Sequence, residues 1–88
     1  MENAEQLESL PNVGKTLAVL LREAGILTPA ELQKIGALQA FLRIQAVDPD
    51  ACFSKLCALE GAVEGIRWHG LSHEKKDELK HFFALVKK

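Results

Sequence analysis

Eighty-eight residues, 48% of them apolar, with eleven basic and twelve acidic side chains and a formal net charge of −1, describe one small domain (1–88) with a packed core. That balance excludes a disordered chain and lacks the basic excess of a freestanding nucleic-acid binder. No apolar run approaches the roughly 20 residues of a membrane span and the acidic start has no signal-peptide layout, so a cytoplasmic protein without a membrane partner is expected.

Ala, Leu, Glu and Lys dominate, whereas proline and β-branched residues are few, which favours helices. Asn3–Ser9 reads as a short first helix, with Ala4, Leu7 and Leu10 on one side and Glu2, Glu5 and Glu8 outward. Pro11 stops it, because the residue before a proline avoids the α region. Asn12 and Gly14 both tolerate φ > 0, so the chain reverses there, and Gly14 is expected to hold a positive φ that a β-branched residue could not share. A second helix, Lys15–Ala24, carries Leu17, Ala18, Leu20 and Leu21 at helical spacing, with Gly25 as its left-handed terminator.

Thr28-Pro29-Ala30-Glu31 is a capping box with proline at the first helical position, opening a short helix from Pro29 to about Lys34 that Gly36 closes. Ala37–Gln45 forms the next helix and buries Leu38, Phe41 and Leu42. Asp48-Pro49 resets the chain, with Asp48 as N-cap of the longest helix, Pro49 to about Glu64. Its apolar stripe is Cys52, Leu56, Leu59 and Val63, widened by Phe53 and Cys57. Gly61 inside a helix costs about 1 kcal/mol against alanine and so predicts a close helix contact. Gly65 ends that helix, Ile66–Leu71 connects, and Ser72 caps a last helix to about Val86 that buries Leu79, Phe82, Phe83 and Val86. The expected fold is all-α, a compact bundle of five to six short helices.

Two groups of residues are candidate sites, and each reads two ways. At the turn, the backbone N–H groups of Gly14, Lys15 and Thr16 would face a phosphate from a helix N-terminus. Asn12 would shape that turn, with Lys15 and Arg22 as counter-charges. One or two cations make such DNA binding weak, sequence-independent and salt-sensitive. The alternative is a plain connector that packs Leu10, Val13 and Leu17 together. Arg67, Trp68 and His69 form the second group, either an exposed recognition patch or a core staple built on the indole.

Cys52 and Cys57, followed by His69 and His73, approximate the spacing of a Cys2His2 zinc site. The chemistry fits badly, since zinc needs four donors within about 2.3 Å while Cys52 and Cys57 lie about 140° apart around a helix. Two reduced, buried thiols are expected, and no metal. His69, His73 and His81 lack a nucleophile elbow, paired carboxylates or a phosphate-binding loop, so neither catalysis nor a cofactor is expected.

The chain strongly resembles the C-terminal domain of the TfoX/Sxy competence-regulator family. The matching segments are Leu10-Pro11-Asn12-Val13-Gly14-Lys15, Ala24-Gly25-Ile26, Gly36-Ala37, Ala58-Leu59-Glu60-Gly61-Ala62 and Gly65-Ile66-Arg67-Trp68. The resemblance implies an all-α domain with a helix-hairpin-helix-like (SAM-like) motif, linked to bacterial transcription control of DNA uptake. Position 12 departs from the hairpin motif, which usually has glycine where this chain has asparagine. In outline the chain is also similar to the C-terminal domain of the RNA polymerase α subunit. The resemblance covers only the C-terminal part of the family's regulators, which carry a separate N-terminal domain.

Two functions from different classes remain open. One is a non-enzymatic interaction module that docks another protein or its own copy, for which Val19, Leu27, Leu38 and Leu85 are surplus apolar residues. The other is a DNA-associated accessory domain that uses Asn12, Gly14, Lys15, Thr16 and Arg22.

Overall fold

A computed structural model describes residues 6–87. Among them are four α-helices and no strand: α1 (Lys15–Glu23), α2 (Pro29–Val47), α3 (Phe53–Glu64) and α4 (His73–Val86). Two 3-10 turns, Leu7–Ser9 and Trp68–Gly70, precede α1 and α4 respectively. The count falls short of five to six for two local reasons. The segments expected on either side of Gly36 run on as one element, broken only where Gly36 takes φ 83° and ψ 164°. The expected first helix is a single 3-10 turn, its Asn3–Glu5 part lying outside the described residues. Among the described residues, the turn at 10–14 is therefore not flanked by two α-helices.

Short-range chemistry sets most boundaries. Thr28 Oγ1 accepts from the Glu31 N–H at 3.1 Å and the Glu31 carboxylate accepts from Thr28 N–H at 3.2 Å, a complete capping box with Pro29 at its start. Ser72 Oγ accepts from the Lys75 N–H at 3.0 Å and starts α4. Gly25, at φ 87°, ends α1 as Ile26 N–H reaches back to Leu21 C=O at 2.8 Å. Gly65, at φ 79°, ends α3 in the same way, with Ile66 N–H donating to Gly61 C=O at 2.9 Å.

Helix α3 begins four residues later than Pro49 suggests. Asp48 closes α2 and accepts, through its side chain, from the Asp50 N–H at 3.3 Å, so 48–52 is a turn and Cys52 is the N-cap. Cys52 is consequently exposed rather than buried, while Cys57 is buried.

Helices α2 and α3 pack most extensively on each other, and the fully buried Phe41, Ile44, Leu56 and Leu59 form the middle of the core. Leu7, Leu21, Ile26 and Leu32 extend it under α1, and Leu79 extends it under α4. At the far end Phe83 meets Phe41 and Phe53 edge-on, at 5.9 and 5.6 Å between ring centroids. Leu42, expected inside, lies on the exposed side of α2 with Leu38, a residue read both as core and as surplus; Val19, Leu27 and Leu85 are exposed as anticipated, Leu85 by 74%.

Candidate functional site

The turn at 10–14 and the connector at 66–68 are one site, joined by a single side chain. The residue of the turn with positive φ is Asn12, at 69°, whereas Gly14 is extended at φ −91° and serves as N-cap of α1. The expectation that Gly14 held the left-handed conformation is thereby corrected. Asparagine takes that conformation more readily than other residues bearing a Cβ, which is why the chain can reverse without glycine at position 12.

The reversal turns the Asn12 carboxamide onto α3. Its nitrogen donates to Ile66 C=O at 2.9 Å, and its oxygen accepts from Trp68 N–H at 3.0 Å. A carbonyl at one end and an N–H at the other fix which end of the amide is which. A longer contact to Ala58 C=O, at 3.5 Å, adds little. The amide fits because position 61 has no side chain. A Cβ there would meet the Asn12 nitrogen and lie 2.7 Å from the Ile66 oxygen. The close approach expected at Gly61 is real, but a turn and a connector make it and not the helix expected there.

Pinned from below, the connector presents its side chains outward. Arg67, Trp68 and His69 are all exposed, Trp68 by 41%, so the core-staple reading of the indole is corrected. The His69 ring stacks on the indole, with centroids 4.1 Å apart and planes 28° apart. The Lys76 ammonium, from α4, lies 6.0 Å from the indole centroid. Ile66 adds further exposed apolar surface beside them.

The other candidates at the turn are dispersed. Gly14, Lys15 and Thr16 are exposed at the start of α1, where no side chain caps the helix. Arg22 is committed to Glu8 through two bonds, Nη1 to Oε2 at 3.0 Å and Nη2 to Oε1 at 2.7 Å. This pairing holds the Glu8 carboxyl below its ordinary range. Neither the Asn12 carboxamide nor the Arg22 guanidinium is therefore a free donor for a phosphate.

A second concentration of charge lies where Leu38, Glu60, Lys75, Glu78 and Leu79 line a cavity of about 240 Å³. Lys75 Nζ is 2.9 Å from Glu78 and 3.9 Å from Glu60. Burial, together with the neighbouring Glu64, pushes the Glu60 carboxyl up to about 7 despite Lys75. Sequence reasoning missed this group; Glu60 and Glu64 are neighbours one turn apart on α3, but only the packing of α4 on α3 brings Lys75 and Glu78 to them.

Among known proteins, the profile of the TfoX C-terminal domain family matches residues 3–83. Two crystal structures from Listeria monocytogenes are similar to the chain, each at 54% identity and a TM-score of 0.88. One, a triclinic form of an uncharacterized protein, is matched over 92% of this chain and 93% of that one. The other, a tetragonal form of a protein of unknown function, is matched over 90% and 98% respectively. No curated protein matches.

Proposed function

Because the chain belongs to the TfoX C-terminal domain family, we propose that it is a non-enzymatic docking module, in a transcription-related setting, that engages another protein through the surface of Ile66, Arg67, Trp68 and His69. The observation that carries this reading is an exposed indole–imidazole stack on a connector whose backbone is already fixed by Asn12. Tryptophan and arginine dominate binding hot spots, and a preformed backbone lowers the ordering cost of association. Most small domains bury so large an aromatic for stability, so its exposure here has to be accounted for.

The hairpin-like turn supports a second reading, weak contact with DNA phosphates through the exposed N–H groups of Gly14, Lys15 and Thr16. It has less behind it, because Arg22 and Asn12 are engaged within the domain.

Immobilised parent and Trp68→Ala proteins, both verified by circular dichroism, test the docking role in a pull-down from the source cell. A partner retained by the parent and lost from the variant is expected. Equal retention by both, or no partner for either, removes the reading.

A further inference from the structure

We infer that what seats on the Trp68 surface is a short acidic peptide segment of the partner, carrying an apolar or aromatic anchor; this rests on the docking role proposed above. The argument is charge complementarity. Arg67 is exposed beside Trp68, and Lys76 approaches the same ring. Neither cation has an ion-pair partner among the described residues, in contrast to Arg22 with Glu8 and Lys75 with Glu60 and Glu78.

Among the described residues no acid pairs with either cation. Glu60 and Glu78 face Lys75, and Asp77 lies 3.6 Å from the His73 ring. Glu74 sits in the first turn of α4, where the helix end offsets its charge. Two unpaired cations beside an exposed indole and Ile66 match an anionic segment with one apolar side chain to insert.

A nucleic acid fits less well. His69 already covers one face of the indole, so that face is closed to a stacking base. Two cations also neutralise too few phosphates to hold a duplex at physiological salt.

The test pans a phage-displayed library of random short peptides on the intact chain, after depletion on Trp68→Ala. Trp68 is the chain's single tryptophan, so its emission reads occupancy directly. The expected result is enrichment of net-negative peptides bearing an aromatic or aliphatic anchor. A synthetic copy should shift Trp68 emission and bind about 3- to 10-fold more weakly to the Arg67→Ser/Lys76→Ser double variant. Trp68-dependent peptides that are neutral or basic would overturn the acidic partner and leave the docking surface standing. Failure to recover any Trp68-dependent peptide, or an emission change given by a DNA duplex alone, overturns the inference and counts against the docking role as well.

Discussion

The side-chain oxygen of Asn12 accepts the backbone N–H of Trp68 at 3.0 Å, across 56 residues of sequence. With the companion bond to Ile66 C=O, it makes a turn at one end of the chain the fastening for a connector near the other. The glycine at 61 leaves the space in which this happens, and the left-handed Gly65 folds Ile66 back into it. Exposure of Trp68 follows from the clamp, because the backbone of the connector, and not its largest side chain, faces α3.

Replacement of Asn12 separates the two parts of its role. Asn12→Ala loses both amide bonds and places alanine at φ 69°, so a loss of about 2–4 kcal/mol is expected. Asn12→Gly loses the same bonds without the conformational cost and should recover about 1 kcal/mol of that. Urea unfolding of the three proteins measures both differences. Parent-like stability of the alanine variant would show that the clamp contributes nothing.

Gly61 and Gly14 should respond to a larger residue for different reasons, crowding at one and helix capping at the other. Gly61→Ala gains about 1 kcal/mol in helix propensity but drives a methyl group toward the Ile66 oxygen, and strain of about 1–3 kcal/mol should outweigh the gain. Gly14→Val needs no positive φ and a Cβ there meets nothing within 4 Å, so its unfolding midpoint should register only the roughly 0.5–1 kcal/mol by which valine is poorer than glycine at an N-cap. A stable Gly61→Ala protein with an unstable Gly14→Val protein would reverse the assignment of the crowded position.

What could be read from the residues in order was punctuation. Thr28 with Glu31, Ser72, Gly25, Gly36 and Gly65 each act within a few positions of themselves, and each breaks or caps a helix where expected. Proline misled at position 49, where an Asp48 turn delays α3 until Phe53. Asn12 was visible as a turn former, but its partners lie more than fifty residues away and no local pattern names them. Trp68 reads two ways for a related reason: size argues for the core, yet Phe41, Leu56 and Leu59 already fill it. Gly61 was legible as a close approach, but the neighbour is a turn and a connector where a helix was expected.

The two cysteines should differ sharply toward a thiol-alkylating reagent. Cys52 is exposed at the start of α3, and the Ser54 hydroxyl, 3.0 Å from its sulfur, helps hold the thiol below its ordinary value. Burial pushes the Cys57 thiol up and shields it. Iodoacetamide near neutral pH should therefore modify Cys52 first, with Cys57 reacting only on opening of the core, as peptide mass spectrometry would resolve. Equal rates in the folded protein would mean that the start of α3 is wrongly placed.

Glu60 ties stability to pH, and the sign follows from the direction of its shift. Its carboxyl titrates at about 7 in the folded protein against 4.5 for the unperturbed group, chiefly through burial. The folded state then holds a proton that the unfolded chain releases earlier. The stability contributed by that protonated carboxyl is fully present below about pH 4.5 and lost as pH rises through about 7. Glu60→Gln keeps a neutral group of similar shape, and Glu78 at 2.9 Å still engages Lys75. The variant should therefore match the parent near pH 5 and exceed it by about 1–2 kcal/mol near pH 8, since ionisation no longer sets a charge against Glu64 and Glu78. Urea midpoints across that range measure the gap. A constant difference between the two proteins at every pH would mean that the carboxyl at position 60 ionises as freely in the fold as in water.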